Sequence, residues 1–294
     1  MDITLKNGDV TAKIISKGAE LKSLTVGGRE LMWSADPAFW GKTSPLLFPM
    51  IGTLKDGKTI INGAEYRITK HGFARDLELT PEDFNGNSAM FSLTQSSYTK
   101  EMYPFDFRFT VRYTLKADGI AVTYRVHNNS SSDMPFCIGA HPAFATPGDM
   151  TGYRLVFPLP ESASVPNYNL STGLHEEHNR RELMKDSTEL PLSHEMFYQD
   201  VCYFDRVRSR QVELLNSENF GVRVDFPDFT SLGVWQAKDA PFLCIEPWCG
   251  SADFDDCSGV FAEKRGIEIL PPDGEKAFTY SITAVDHRSK VKPE

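Results

Sequence analysis

The segment FDFRFTVRYTL (105–115) constrains this chain more than any other. Phe105, Phe107, Phe109, Val111, Tyr113 and Leu115 alternate with Asp106, Arg108, Thr110, Arg112 and Thr114. A period of two places every aromatic ring on one face of an extended strand, whereas a helix would scatter the same side chains around its circumference. Asp118-Gly119 reads as a two-residue turn, after which Ile120, Val122, Tyr124 and Val126 repeat the alternation. The reading is a long antiparallel hairpin with one buried face and one polar face, which needs a second apolar layer to cover it.

Similar punctuation recurs along the chain. Asn7-Gly8, Gly27-Gly28 and Asn62-Gly63 each separate short β-rich runs, and these residue types accept the positive φ of tight hairpin turns. Further strands are predicted over 88–95, 153–158, 211–215, 220–226, 231–236, 242–246, 266–270 and 277–285. Helical periodicity is weak, with short turns near 36–41 and 193–198. The interval 159–195, with polar runs such as LHEEHNRRE, reads as a long irregular excursion of the kind that carries function. So many strands at short spacing define an all-β fold, a large antiparallel sandwich. An apolar fraction of 40% supplies the core for it. We expect a single domain over 1–287 and a C-terminal tail over 288–294.

Charge and cysteine usage narrow the class of partner. The net charge is −9 and no run of Lys and Arg forms a phosphate-backbone footprint, which argues against nucleic acid. No window approaches the roughly 18 apolar residues of a membrane helix, so no membrane partner is expected. The opening residues MDITLKNGDV have neither the basic nor the apolar part of a secretory signal, and the cysteine count of five is odd. Both point to a cytoplasmic protein.

Three segments set ionisable residues among apolar or turn residues: HGFAR (71–75), FCIGAHPAFATP (136–147) and FLCIEPWCGSADF (242–254). His141 stands where an apolar strand meets Pro142. Glu246 ends the apolar run 242–245. A carboxylate there is costly to bury unless it is paired or used. Two readings therefore stand for Glu246: an ion pair with a buried arginine, or an acid/base group working with His141 near neutral pH. Phe73, Phe144, Trp235 and Trp248 are candidates for an apolar platform under a sugar ring, each with core packing as the alternative.

Other chemistries find little support. Cys244, Cys249 and Cys257, with His175 and His178, lack the close pairing of a zinc site. GxGxxG, GxxxxGK[ST] and GxSxG do not occur. Asp253, Asp255 and Asp256 lack the Gly and Glu of an EF-hand loop and read as a solvated acidic loop. No metal and no cofactor is expected.

SPLLFPMIGTL (44–54), HGFARD (71–76), IGAHPAF (138–144), QDVCYFDRVRSRQVEL (199–214) and FLCIEPWCGSAD (242–253), in this order, resemble the aldose 1-epimerase (galactose mutarotase) family in its shorter, HGFAR-containing bacterial branch. The resemblance runs over most of the chain and implies a β-supersandwich with a sugar cleft. It also implies a cofactor-independent isomerase that interconverts the α and β anomers of a hexose. Carried over motif by motif, it gives Glu246 as the general base at the anomeric hydroxyl and His141 as the general acid at the ring oxygen. His71 steadies the ring oxygen or a hydroxyl, while Arg75, Asp200 and Trp235 bind substrate. Two departures, IGTLKDGK where galactose-type enzymes carry an Asn-Arg pair and His-Pro-Ala-Phe in place of NHxYFN, leave the sugar open. A hexose 6-phosphate would need several cations, for which Arg75, Lys42, Lys55 and Lys70 are candidates. A non-catalytic carbohydrate-binding or regulatory protein is the alternative of another class, and a glycoside hydrolase using Glu246 and Asp200 is a minor one. The oligomeric state is left open between monomer and homodimer.

Overall fold

The computed structural model describes residues 2–288; of the tail expected at 288–294, all but Arg288 lies outside the described residues. The predicted hairpin forms in register, from Phe107 opposite Asn128 to Leu115 opposite Ile120. Its turn differs by one residue from the sequence reading. The Lys116 N–H donates to the Gly119 carbonyl at 2.9 Å, so Ala117 and Asp118 are the central residues and Gly119 already belongs to the return strand.

This hairpin lies inside a nine-stranded antiparallel sheet whose order is 174–191, 153–169, 211–216, 220–225, 275–286, 119–128, 107–115, 88–94 and 80–84. A four-stranded sheet of residues 2–7, 10–15, 21–26 and 29–30 and a six-stranded sheet complete the main β-structure. The six-stranded sheet runs 202–204, 231–235, 242–249, 138–140 and 46–47, with 143–145 also paired to 242–249. The chain is thus a large antiparallel β-supersandwich. Among the described residues no helix is long and apolar enough to cross a membrane.

Packing between the layers follows the alternation. Phe107, Phe109, Val111 and Tyr113 are fully buried and share one core with Phe48, Leu243 and Ile245 of the six-stranded sheet region and with Leu5, Ala12 and Ile14 of the four-stranded sheet. The Phe48 and Phe109 rings stack at 4.8 Å with 5° between their planes. Tyr113 satisfies its buried hydroxyl by donating to the Ala19 carbonyl at 2.7 Å, and Tyr103 does the same to Pro135 at 2.7 Å. Phe73 and Phe144 are core residues, not a sugar platform: Phe73 packs among Phe48, Tyr103 and Phe107.

The interval 159–195 is the largest departure from the sequence reading. It is ordered β-structure: Tyr153–Asn169 and Leu174–Pro191 pair with each other through several register shifts, and a short helix follows at His194–Phe197. The shifts are bulges, which break strict alternation and so hide long strands from a period-two search. A short helix at Ser97–Met102, closed by a Ser96–Thr99 capping box, was not anticipated either.

Alternation predicts opposite outcomes for neighbours on the central hairpin. Phe109→Ala should lower unfolding free energy by about 3–5 kcal/mol, the range for a fully buried aromatic. Arg112→Ala, which loses an exposed pair to Asp83, should cost at most ~1 kcal/mol. Urea titration of both variants tests this, and comparable losses would contradict the assigned faces.

Candidate active site

The strand Phe242–Cys249 positions the site. Leu243 and Ile245 point into the shared core, so Phe242, Cys244, Glu246 and Trp248 must point to the opposite face. The strand does not stop at Glu246, as the sequence reading had it, but continues through Pro247 to Cys249. All eight residues are buried, because that outer face is itself the floor of a cleft of about 260 Å³. Trp40, Lys70, His71, Arg75, His141, Tyr168, His175, Asp200, Trp235, Glu246 and Trp248 line it.

His141 arrives through an interruption in pairing. Residues 138–140 pair near Trp248 and Cys249, and residues 143–145 pair again near Cys244, so His141 and Pro142 lie between the two ladders. The Ile245 N–H donates to the Pro142 carbonyl at 3.1 Å and pins the interruption beside Glu246. The partner of Glu246 is therefore a histidine and not a buried arginine: His141 Nε2 lies 3.3 Å from Glu246 Oε2.

Burial dominates the electrostatics of this pair. Glu246 is 1% exposed, and loss of water pushes its carboxyl well above the usual range, with the Asp200 charge adding to the effect. Lys70 and the approaching Trp248 indole N–H pull the other way and are outweighed. Burial likewise lowers His141 to about 3, helped by the positive charge of Arg75. Both shifts favour the uncharged state, a carboxylic acid beside a neutral imidazole.

His71 is held by its own backbone neighbourhood. The Gly52 N–H donates to His71 Nδ1 at 3.1 Å, and the His71 N–H donates to the Gly52 carbonyl at 2.9 Å. With Nδ1 accepting, a neutral ring carries its proton on Nε2, and burial keeps the ring neutral. His71 has φ 65° and Gly72 φ 74°, so the HGFAR segment enters the site through consecutive left-handed residues. A side chain at Gly72 would meet the Phe48 carbonyl oxygen at 2.1 Å, which explains the glycine in the motif. Arg75 follows in a one-turn helix at Ala74–Asp76 and reaches the cleft wall, with Asp76 Oδ2 3.4 Å from its Nε.

Asp200 enters from the loop after the His194–Phe197 helix, with φ 69° and its carboxylate accepting the Val201 N–H at 2.8 Å. The aromatic wall comprises Trp40, stacked on His141 at 4.8 Å, and Trp235, edge-on to it at 5.7 Å. Trp248 lies flat on the floor, against Gly139 and Gly233 where no side chain intervenes. All six residues proposed from the sequence, Glu246, His141, His71, Arg75, Asp200 and Trp235, therefore meet in one cleft.

Sequence reasoning missed Trp40, Tyr168 and His175 as cleft residues. Trp40 sits in a turn without a motif, and the other two come from the paired interval taken for irregular chain. Lys42 and Lys55 are directed elsewhere: Lys42 Nζ pairs with Asp76 and Lys55 Nζ donates to the Asp255 carbonyl. Asp253 is not solvated but buried in an ion pair with Lys264. Among the described residues one group brings metal-ligand types together, His141, Cys244 and Glu246, within 4.8 Å of one another. Burial, with Glu246, pushes the Cys244 thiol well above its usual range.

Comparison with known proteins places this geometry in a family. The sequence model described as aldose 1-epimerase matches residues 1–259. Protein LacX (plasmid) of Lactococcus lactis subsp. lactis is 34% identical over 300 residues, covering 97% of this chain and 100% of that protein. The crystal structure of a galactose mutarotase related enzyme from Lactobacillus acidophilus superimposes with a TM-score of 0.92 at 29% identity, covering 100% of both chains. A galactose mutarotase-like protein from Lactobacillus casei ATCC 334 gives 0.90 at 26% identity, over 97% of this chain and 100% of its own.

The buried histidines make stability pH-dependent with a definite sign. His71, His141 and His175 have pKa values lowered from 6.5, the latter two to about 3. The unfolded chain thus takes up protons below pH 6.5 that the folded chain refuses. This contribution is complete above pH 6.5 and is lost as pH falls toward 3. Glu246, raised, works in the opposite sense: its contribution is present below its ordinary value of 4.5 and fades as pH rises through its folded value. At pH 5 His141 and His175 should each cost about 2 kcal/mol relative to pH 7, with His71 acting in the same direction and Glu246 partly offsetting them. Thermal denaturation at the two pH values should show a lower Tm at pH 5, and an unchanged Tm would mean that these rings are charged in the folded state.

Proposed function

The chain belongs to the aldose 1-epimerase family, and on that premise we propose that it interconverts the α and β anomers of an aldose at the His141–Glu246 pair. The observation that carries this reading is the 3.3 Å contact between a buried imidazole and a buried carboxyl on the floor of a cleft. It is reinforced by a concentration of unmet hydrogen bonds. Of twelve buried side-chain N and O atoms without a hydrogen-bond partner among the described residues, six belong to cleft residues: Arg75, His141, His175 (both ring nitrogens), Glu246 and Trp248. Such groups are costly to leave unpaired, and a polyol is a ligand that can pair them.

The proton accounting is simple. From the form in which the pair's one proton has moved from Glu246 to His141, Glu246 takes the proton of the anomeric hydroxyl while His141 delivers one to the ring oxygen, and the ring C–O bond breaks to give the open aldehyde. The pair then stands as carboxylic acid and neutral imidazole, the state that burial favours. Rotation about the C1–C2 bond presents the other face of the carbonyl. Reclosure returns the Glu246 proton to the carbonyl oxygen and the ring hydroxyl proton to His141. His71 Nε2–H donates to the ring oxygen or a neighbouring hydroxyl, Arg75 and Asp200 hold hydroxyls, and Trp40 and Trp235 wall the ring.

A second reading, a phosphorylated hexose, is favoured by one observation. Lys70 and Arg75 both line the cleft, and Lys70 makes no ion pair among the described residues. Two donors of this kind suit a phosphate dianion.

Glu246→Gln should reduce the enzyme-dependent rate of anomer interconversion by at least about a hundredfold while leaving the folded structure intact, as followed by polarimetry and exchange NMR. Retained activity would remove Glu246 from the mechanism. Sugar binding without acceleration in the wild type would favour a carbohydrate-binding protein. Lys70→Ala separates the substrates: for a phosphorylated hexose it should raise KM for glucose 6-phosphate about tenfold and leave free glucose within about twofold. Equal effects on both sugars would remove the phosphorylated reading.

A further inference from the structure

His175 lines the same cleft as the catalytic pair and has no role in the proton transfers above. Its ring is 0% exposed, and neither Nδ1 nor Nε2 has a hydrogen-bond partner. A neutral imidazole always carries one N–H donor and one bare nitrogen, so both polar functions are unmet here. Burial, reinforced by Lys264, Arg180 and Arg265, lowers the ring to about 3, so it remains neutral across the working range.

The ring is nevertheless held firmly. It stacks on Tyr203 at 5.0 Å with 23° between planes, and Phe254 and Tyr168 enclose it at 5.0 and 5.4 Å. Its backbone is tied on both sides, the His175 N–H donating to the Asp253 carbonyl at 3.0 Å and the Asp255 N–H donating to the His175 carbonyl at 2.9 Å. Phenylalanine would fill this aromatic cage without leaving polar atoms unmet. A caged ring with two unpaired nitrogens is an arrangement that packing alone does not require.

The position defines what it could contact. Tyr203 pairs with Gly233, and Gly233 pairs with Glu246, so the residue under the His175 ring lies two strands from the base, roughly 10 Å across the sheet. Trp248 and Asp200 line the same cleft. That separation matches a pyranose ring with its outward hydroxyls. Building on the mutarotase reading, we propose that His175 is a specificity-determining residue, whose imidazole hydrogen-bonds a sugar hydroxyl remote from the anomeric carbon.

The test combines variants with single-hydroxyl deletions of the substrate. D-glucose, D-galactose and their monodeoxy analogues, each lacking one hydroxyl away from C1, are assayed for interconversion with wild type, His175→Phe and His175→Gln. His175→Phe should raise KM about tenfold, the loss of one neutral hydrogen bond, and lower kcat less than threefold. One deoxy analogue should be insensitive to the substitution. His175→Gln, which keeps a donor and an acceptor, should recover most of the loss. Unchanged KM and unchanged hydroxyl discrimination in His175→Phe, with raised thermal stability, would make the ring a packing residue and overturn the proposal.

Should His175→Phe not fold, the deoxy series on wild type and His175→Leu, which has neither donor nor acceptor, decides. A hydroxyl whose deletion costs about tenfold in wild type and clearly less in His175→Leu supports the assignment, and identical profiles refute it. If wild type accelerates none of the sugars, the mutarotase reading fails separately. Titration of the same sugars by fluorescence of the cleft tryptophans Trp40, Trp235 and Trp248 then tests His175 on affinity alone, with an unchanged Kd in His175→Phe overturning it.

Discussion

The burial of the Glu246 carboxyl against the His141 imidazole is the interaction on which the cleft depends. A carboxylate at 1% exposure would be prohibitive without a partner, and a permanent cation would lock it as a spectator ion pair. A neutral histidine at 3.3 Å does neither, because one proton can sit on either member of the pair. The sheet makes this possible by placing the carboxyl on a strand whose other face is anchored in the main core through Leu243 and Ile245. The pair is therefore rigid from below and adjustable only in its proton.

Two residues with left-handed backbone flank this pair. His71 at φ 65° and Asp200 at φ 69° are neither glycine nor asparagine, and both line the cleft. Each conformation costs free energy that surrounding contacts must offset. For His71 those contacts are visible: both its main-chain N–H and its Nδ1 are bonded to Gly52, and Gly72 lets the Phe48 carbonyl approach. The Gly52 N–H bond to Nδ1 leaves Nε2 to carry the proton of the neutral ring, so a backbone constraint becomes a choice of hydrogen-bond donor.

How far the site could be read in advance differs from residue to residue. Glu246 was legible because a charged residue interrupts an apolar run, and His141 because a proline follows it at a strand end. His71 and Arg75 were legible through a compact motif around a turn. Trp40 had no such signal. Tyr168 and His175 were hidden because the bulged pairing of Tyr153–Asn169 with Leu174–Pro191 breaks the alternation by which strands are recognised. Phe73 and Phe144 took the core side of the two readings open for them, since proximity in sequence to site residues says nothing about which face a side chain takes once the chain bends.

Local sequence alone determined the strands, most of the hairpin turns and the all-β class, because side-chain period and tolerance of positive φ act over a few residues. It also determined that a carboxyl and an imidazole stood where burial would be costly. Tertiary structure decided that His141 and Glu246 face each other, that a histidine and not an arginine stands beside the carboxyl, and that His175 joins the same cleft. These relations run between strands far apart in the chain, through sheet register and bulges. Their energies depend on how much water the assembled layers exclude, a property that no short stretch of sequence possesses.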